Sequence, residues 1–229
     1  MGRSTRGLSE DDRGWTRTPR DESTVVIPDA PPLRSFEPGQ AFVDQQDKTQ
    51  PIDDLEHRIG WHARARWVQP GTLRLQGAYT QNGGDRNLHD GQYSWDTRFG
   101  QAGLEVKLGP SVTLVAEGAI GDTGMGPLVP GGPHVDVRFK VGYALLSWSR
   151  GSWRVTARLD GFHNEDRDGT AEPDAESGSA VTVAAFWKPR DFVRLGLEYV
   201  EVRGERAAAS GPDSAIDGRR ALLEVRLRF

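Results

Sequence analysis

The sequence predicts an all-β fold, an antiparallel up-and-down transmembrane β-barrel, and three observations lead to it. From residue 57 onward, segments of about ten residues alternate apolar and polar side chains with a period of two, as strands between two environments do. The connections between these segments are alternately very short and long. No apolar run approaches the ~18 residues that a spanning helix requires. Together these patterns are typical of barrels with tight turns at one end and long loops at the other.

Nine strands are predicted, and they define a barrel domain over residues 57–229. Very short connections such as Gln69-Pro70-Gly71 and Gly109-Pro110 follow every odd strand and contain residues that preset turn dihedrals. Long connections rich in Gly, Asp, Asn, Pro and Ser follow every even strand. The predicted strands lie at about 57–68, 71–80, 100–108, 111–121, 135–149, 152–163, 179–188, 192–203 and 218–229.

The odd strand count is unusual, because bacterial single-chain barrels have even counts. We therefore expect either one more rising strand before residue 57 or a chain that is the C-terminal part of a larger barrel. Residues 1–56 form a polar, Pro-rich N-terminal segment with twelve acidic and seven basic residues, which we expect to be an external loop or disordered. The best candidate strand there is 23–28. No apolar stretch near Met1 could serve as a signal-peptide core.

Composition limits the chemistry without deciding it. The 229 residues include 28 Gly and 14 Pro, which suits a turn-rich β protein, and no Cys, which excludes disulfides and thiolate metal sites. The net charge of -4 is unevenly distributed along the chain: residues 1–56 and the long loops are acidic, while the strands and tight turns together carry about +10. A basic wall inside a barrel would attract anions.

One face of each predicted strand is apolar and free of charge, and we expect it to contact lipid. Arg or Lys at the bilayer midplane costs about 2 to 4 kcal/mol, so an uncharged face is what lipid contact requires. In the fifth strand the row is Val135, Val137, Phe139, Val141, Tyr143 and Leu145. An aromatic girdle is expected at the tight-turn end, formed by Trp67, Trp148, Trp153, Trp187 and Phe192. The alternative is a soluble barrel or sandwich whose apolar face is its core.

The opposite face is predicted to line a channel. Cross-strand pairing is expected to neutralise many of its charges. The predicted channel-lining residues are Arg64, Arg66, Arg74, Glu105, Lys107, Glu117, Asp136, Arg138, Lys140, Arg154, Arg158, Asp160, Arg194, Glu198, Glu224, Arg226 and Arg228.

The end of the chain resembles a known signal. Leu223, Val225, Leu227 and the terminal Phe229 alternate with charged residues, which resembles the C-terminal assembly signal of Gram-negative outer-membrane proteins. With the Arg-rich face, residues 57–229 look like the C-terminal half of a porin, of the phosphate-selective type. The resemblance implies a passive channel in the outer membrane, with outer-membrane lipid, the barrel-assembly machinery and small anionic solutes as partners. A homo-oligomer is left open.

Enzyme and metal signals are weak. Asp122-Thr123-Gly124 has no twin, as an aspartic-protease pair would need, and the acidic run 166–172 lacks full calcium-loop spacing. The five His show no metal-ligand spacing. We therefore expect no catalysis and no cofactor, and the basic residues do not form the exposed patch of a nucleic-acid binder. The alternatives are a barrel that binds a ligand without transport, and a rim hydrolase using His89 or His163 with Ser94 or Ser177.

Overall fold

The computed structural model describes residues 38, 43–44, 57–126, 135–169, 175–207 and 214–227, without the side chains of residues 214 and 216. The candidate strand 23–28 and the predicted functional residues Arg228 and Phe229 lie outside these residues. The strands are β1 (Trp61–Gln69), β2 (Leu73–Gln81), β3 (Leu88–His89), β4 (Gln92–Tyr93), β5 (Trp95–Lys107), β6 (Val112–Met125), β7 (Val135–Arg150), β8 (Trp153–Asp166), β9 (Glu176–Arg190), β10 (Val193–Arg206) and β11 (Ser214–Leu227).

Nine of these strands form one antiparallel sheet in the order β1-β2-β5-β6-β7-β8-β9-β10-β11, and β3 and β4 form a small separate hairpin. Each long strand pairs with its sequence neighbours, so the up-and-down arrangement predicted from the sequence is confirmed. The tight connections all lie at one end of the sheet. Several strands extend further toward the long connections than predicted, and β5 begins five residues early, at Trp95.

The sheet has almost no buried core. The buried apolar residues among those described are Met125, Ala180 and Ala184, while large apolar side chains such as Leu159 (60% exposed) and Leu223 (78%) are open. A soluble sheet covers one face with another layer. No described part of the chain covers the apolar face of this sheet.

The sheet is open at both edges. β1 pairs with β2 and β11 pairs with β10, and no pairing joins β1 to β11 among the described strands. The closed barrel that the sequence predicts is thus not formed by them. Because the sheet has an odd number of alternating strands, β1 and β11 run in the same direction, and direct closure would create a parallel seam.

The phase of β7 differs from the prediction. Glu117 of β6 pairs with Tyr143, and Tyr143 with Asp160 of β8, so the row from Val135 to Leu145 shares the face of the charged residues. The outward residues of β7 near the tight turn are instead Ala144, Leu146 and Trp148. The expectation that Asp136, Arg138 and Lys140 line the charged face is therefore wrong; they lie on the opposite face.

Candidate functional site

The two faces of the nine-stranded sheet differ sharply, and we name them by their residues. The outer face carries Leu114, Leu159 and Leu197, and the inner face carries Glu117, Arg158 and Glu198; partners across each strand pair share a face. On the outer face, an uncharged apolar band extends from the tight turns through about four or five positions per strand. Its exposed large side chains include Trp67, Leu75, Ile120, Leu146, Trp148, Trp153, Val155, Leu159, Val181, Val183, Trp187, Leu197, Tyr199, Leu223, Val225 and Leu227.

The limits of the apolar band cross the hydrogen-bonded rows at a slant. The row that contains Ile120, the last apolar position of β6, reaches Ala215 in β11, whereas the band in β11 begins only at Ala221. This displacement is about one residue per strand. The tight turns are displaced equally: the row of Leu73 reaches Ala157 in β8, four residues from the start of that strand at Trp153.

The slant has a simple geometric meaning. The limits of the band shift by one residue, about 3.4 Å along the strand, for each strand spacing of about 4.8 Å. They therefore lie at an angle of about 35° to the hydrogen-bonded rows. Strands tilted by this angle would bring both limits level, and transmembrane barrel strands tilt by about 35 to 45°. In β8 the band covers Trp153 to Gly161, about 27 Å of strand and about 22 Å after that tilt, close to the ~25 Å apolar band of outer-membrane barrels.

Aromatic residues lie at both limits of the band. Trp67, Trp148, Trp153 and Trp187 are on the outer face near the tight turns, as predicted, and Trp153 and Trp187 stack with ring centroids 5.7 Å apart. Phe192 lies in the tight connection before β10 and is 50% exposed. The aromatic residues at the opposite limit were not predicted from the sequence. There, Trp61 and Tyr79 pack with centroids 5.0 Å apart and Tyr199 ends the band in β10.

Beyond the band, on the side of the long connections, the outer face is charged. Arg167 Nη2 lies 2.8 Å from Asp122 and 2.7 Å from Asp136. The hydrogen bond to Asp136, aided by both carboxylate charges, raises the pKa of Arg167 above its usual range. A second cluster joins Glu201 to Arg203 and Arg219, at 2.7 and 3.6 Å. The outer face thus changes from apolar to charged along each strand.

The inner face gathers thirteen of the seventeen predicted lining residues, eight basic and five acidic. Several form pairs: Arg74 lies 3.2 Å from Glu105, and Arg158 Nε donates to both oxygens of Asp160 at 2.8 and 2.9 Å. The thirteen are Arg64, Arg66, Arg74, Glu105, Lys107, Glu117, Arg154, Arg158, Asp160, Arg194, Glu198, Glu224 and Arg226. The other four predicted residues are the three outward ones of β7 and Arg228, which lies outside the described residues.

The paired arginines are also held by aromatic rings. The Arg158 guanidinium lies 4.0 Å from the ring centroid of Tyr143, and that of Arg194 lies 5.1 Å from Phe186 while its Nε donates to Glu224 at 3.1 Å. Arg64, Arg66, Lys107 and Arg154 have no carboxylate within 4 Å among the described residues. Arg154 lines an open trough of about 1700 Å³ on this face, and Arg66 lines a smaller pocket beside β1 and β2. The inner face is therefore a partly compensated basic surface.

The tight connection between β9 and β10 has its own ion pair. Lys188 Nζ donates to Asp191 at 2.8 Å. This hydrogen bond and the ammonium charge hold the pKa of Asp191 below its usual range.

At the end of the sheet that carries the long connections, which we call the rim, a buried arginine fixes the segment between β2 and β5. Arg86 is 9% exposed and has a left-handed backbone, with φ of 65°. Its guanidinium donates to the backbone oxygens of Gly126 at 3.1 Å and Val135 at 2.6 Å, and more weakly to Met125. Arg86 thus ties this segment to both ends of the β6–β7 connection, which sequence reasoning did not anticipate.

The same segment brings together two residues of the alternative hydrolase. His89 Nε2 lies 3.0 Å from Asp85 Oδ1, and Ser94 Oγ donates to the same oxygen at 2.9 Å. Both side chains therefore contact the carboxylate, instead of the serine contacting the imidazole as in a nucleophile and base pair. Ser94 is also only 3% exposed. His163 and Ser177 lie elsewhere, paired across β8 and β9 on the outer face.

The other sequence signals acquire structural roles. Asp122 lies within β6 beside Arg167, and the Asp168 carboxylate accepts a hydrogen bond from the Asp136 backbone N–H at 3.2 Å. Among the described residues, no group of three or more His, Asp or Glu is arranged to hold a metal ion, and no helix is long and apolar enough to cross a membrane. No protein-family model and no curated protein matches the chain.

Proposed function

We propose that this chain forms the wall of an outer-membrane β-barrel that acts as a passive channel with a basic lumen, favouring small anionic solutes. The observation that carries the proposal is the slanted apolar band. A continuous exposed apolar surface of this size is rare on soluble monomers. Its height and slant are those expected for tilted strands in a bilayer, and it lies opposite a charged face.

The channel part of the proposal rests on the inner face. Among the predicted lining residues on this face, eight basic side chains against five acidic ones leave a positive surplus, concentrated at Arg64, Arg66 and Arg154. A positive lumen with low-dielectric walls raises the local concentration of anions. The proposal requires closure, because unpaired edge groups in hydrocarbon cost several kcal/mol each. Both β1 and β11 must therefore find partner strands.

The first test is insertion. The full chain refolded in detergent should migrate differently on a gel with and without boiling, and should give conductance steps in planar bilayers. A chain that dissolves without detergent and shows no heat-dependent mobility contradicts the membrane assignment.

The second test is ion preference. Replacing Arg64, Arg66 and Arg74 with Glu changes the inner charge by six units and should shift the reversal potential in a salt gradient from anion toward cation preference. The matched control replaces Arg98, Arg203 and Arg219 on the outer face with Glu and should leave the reversal potential unchanged. Unaltered selectivity in the inner variant would contradict the basic lumen.

A further inference from the structure

Two cations on the outer face lie just beyond the apolar band. Lys140 pairs with Ile120, the last apolar position of β6, and lies two residues from Gly142, where the band ends in β7. Arg138 follows on the same face. Both side chains are exposed, and neither has a carboxylate within 4 Å among the described residues.

Other cations of this charged zone already have carboxylate partners. Arg98, Arg167, Arg203 and Arg219 all form ion pairs with acidic residues of the outer face or the adjoining connection. Asp122, beside Arg138 in the sheet, already contacts two of them. Glu165 of β8 lies across from Arg138 on the same face, but no ion pair within 4 Å joins the two. Arg138 and Lys140 are therefore the cations of this zone, among the described residues, that lie in no ion pair.

We propose that Arg138 and Lys140 bind the phosphate of an anionic lipid headgroup, in the leaflet on the side of the long connections. This inference rests on the proposed function, because the headgroup layer begins where the apolar band ends. The two side chains start about 7 Å apart, so one phosphate can be reached by both, with bidentate hydrogen bonds from the guanidinium and a point charge from the ammonium. His163 and Ser177, in the row of Lys140, add two further polar groups.

The test uses the full chain refolded in zwitterionic detergent. Native mass spectrometry would count bound dioctanoyl phosphatidic acid and dioctanoyl phosphatidylcholine during a titration, with inorganic phosphate as competitor. The wild type should prefer phosphatidic acid. The double variant Arg138→Gln, Lys140→Gln should lose about 30-fold in affinity for it, from two cations near a lipid surface. The double variant Lys107→Gln, Arg154→Gln makes the same charge change on the inner face and should keep the preference.

Unchanged phosphatidic acid binding in the outer variant, or an equal loss in the inner variant, would overturn the proposal. Displacement of the lipid by inorganic phosphate at equal concentration would also overturn it, since the site would then recognise a free anion. Failure of the proposed function is distinguishable, because a chain without heat-dependent mobility or protease protection in vesicles is not inserted at all. An inserted chain without lipid preference contradicts only the headgroup site.

Discussion

A single charged substitution tests the slanted band directly. Ala157 is exposed on the outer face, midway between the two limits of the band in β8. Ala221 belongs to the same hydrogen-bonded row, through Val183 and Tyr199, but lies at the limit of the band in β11. If the strands are tilted in a bilayer, Ala157 is at the midplane and Ala221 is at an interface, although one row connects them.

The expected costs follow from depth. Arg on the lipid face of a barrel costs about 2 to 4 kcal/mol at the midplane and about 0 to 1 near an interface. Ala157→Arg should therefore lower the free energy of unfolding by about 2 to 3 kcal/mol more than Ala221→Arg. The assay is denaturant titration in lipid vesicles, followed by the emission of the seven Trp. Ala157→Leu controls for side-chain size and should cost little.

Two results would refute this reasoning. Equal large costs at Ala157 and Ala221 would mean that residues of one hydrogen-bonded row lie at the same depth in the bilayer. The proposed tilt of the strands would then be wrong. Negligible costs at both would mean that the outer face does not contact hydrocarbon.

Three further perturbations test individual contacts. Arg86→Met removes hydrogen bonds to three backbone carbonyls and should lower the free energy of unfolding by roughly 2 to 4 kcal/mol. A change below about 0.5 kcal/mol in a denaturant titration would contradict this prediction. Gly178→Ala places a Cβ 2.5 Å from a phenyl ring and should cost about 1 to 3 kcal/mol, whereas Gly100→Ala meets nothing within 4 Å and should be near neutral by the same titration. Because the pKa of Asp191 is lowered, its contribution to stability is present at neutral pH and is lost as pH falls through the folded-state value. Lys188→Met should raise the pKa of Asp191, as measured by a carboxyl-carbon NMR titration. An unchanged pKa would exclude the ion pair with Lys188 as the cause of the lowering.

The strands could be predicted from sequence because their signals are local. Alternation with a period of two and turns built on Pro and Gly each depend on a few adjacent residues. Tight turns such as 69–72 therefore lie where predicted. The hairpin of β3 and β4 was not predicted, because its strands have two residues each and positive φ at Asp90 and Gly91 makes its turn.

The phase of β7 could not be predicted from its own residues. Leu145 and Leu146 are adjacent and both apolar, so near the tight turn either register yields a mostly apolar row. Farther along β7 only the row from Val135 to Val141 is apolar, which favoured the wrong phase. The correct phase is set by neighbours, since Gly142 pairs with Gly118 and Gly161 in one outward row. Trp148 was the available signal, because a girdle residue on the outer face places Leu146, not Leu145, outward.

The rim contacts depend on residues far apart in sequence. Arg86 reaches carbonyl groups about forty residues away, and a basic residue in a Gly- and Asp-rich connection carries no signal for such a contact. Asp85 was likewise not singled out, although it organises both His89 and Ser94.

Closure decides whether the inner face can conduct. Eight strands leave an interior filled by side chains, whereas 16 to 18 leave an aqueous channel, so nine strands closed on themselves would hold little water. Direct closure would also place Arg64 and Arg66 of β1 beside the strand that carries Arg220 and Arg226 on its inner face. Like charges on adjacent strands destabilise the pairing, so these charges disfavour direct pairing of β1 with β11.

Because the chain contains no cysteine, an introduced cysteine pair can test whether β1 and β11 pair directly. Ala65 and Val225 lie on the outer face of the two edge strands, at equal depth within the slanted band. The double variant Ala65→Cys, Val225→Cys should form no disulfide within one chain, because β1 and β11 lie at opposite edges of the open sheet. Efficient intrachain cross-linking in refolded protein, seen as a mobility change that a reductant reverses at any dilution, would establish a nine-stranded barrel. It would contradict a water-filled channel, because so narrow a barrel leaves its arginines to fill the interior themselves.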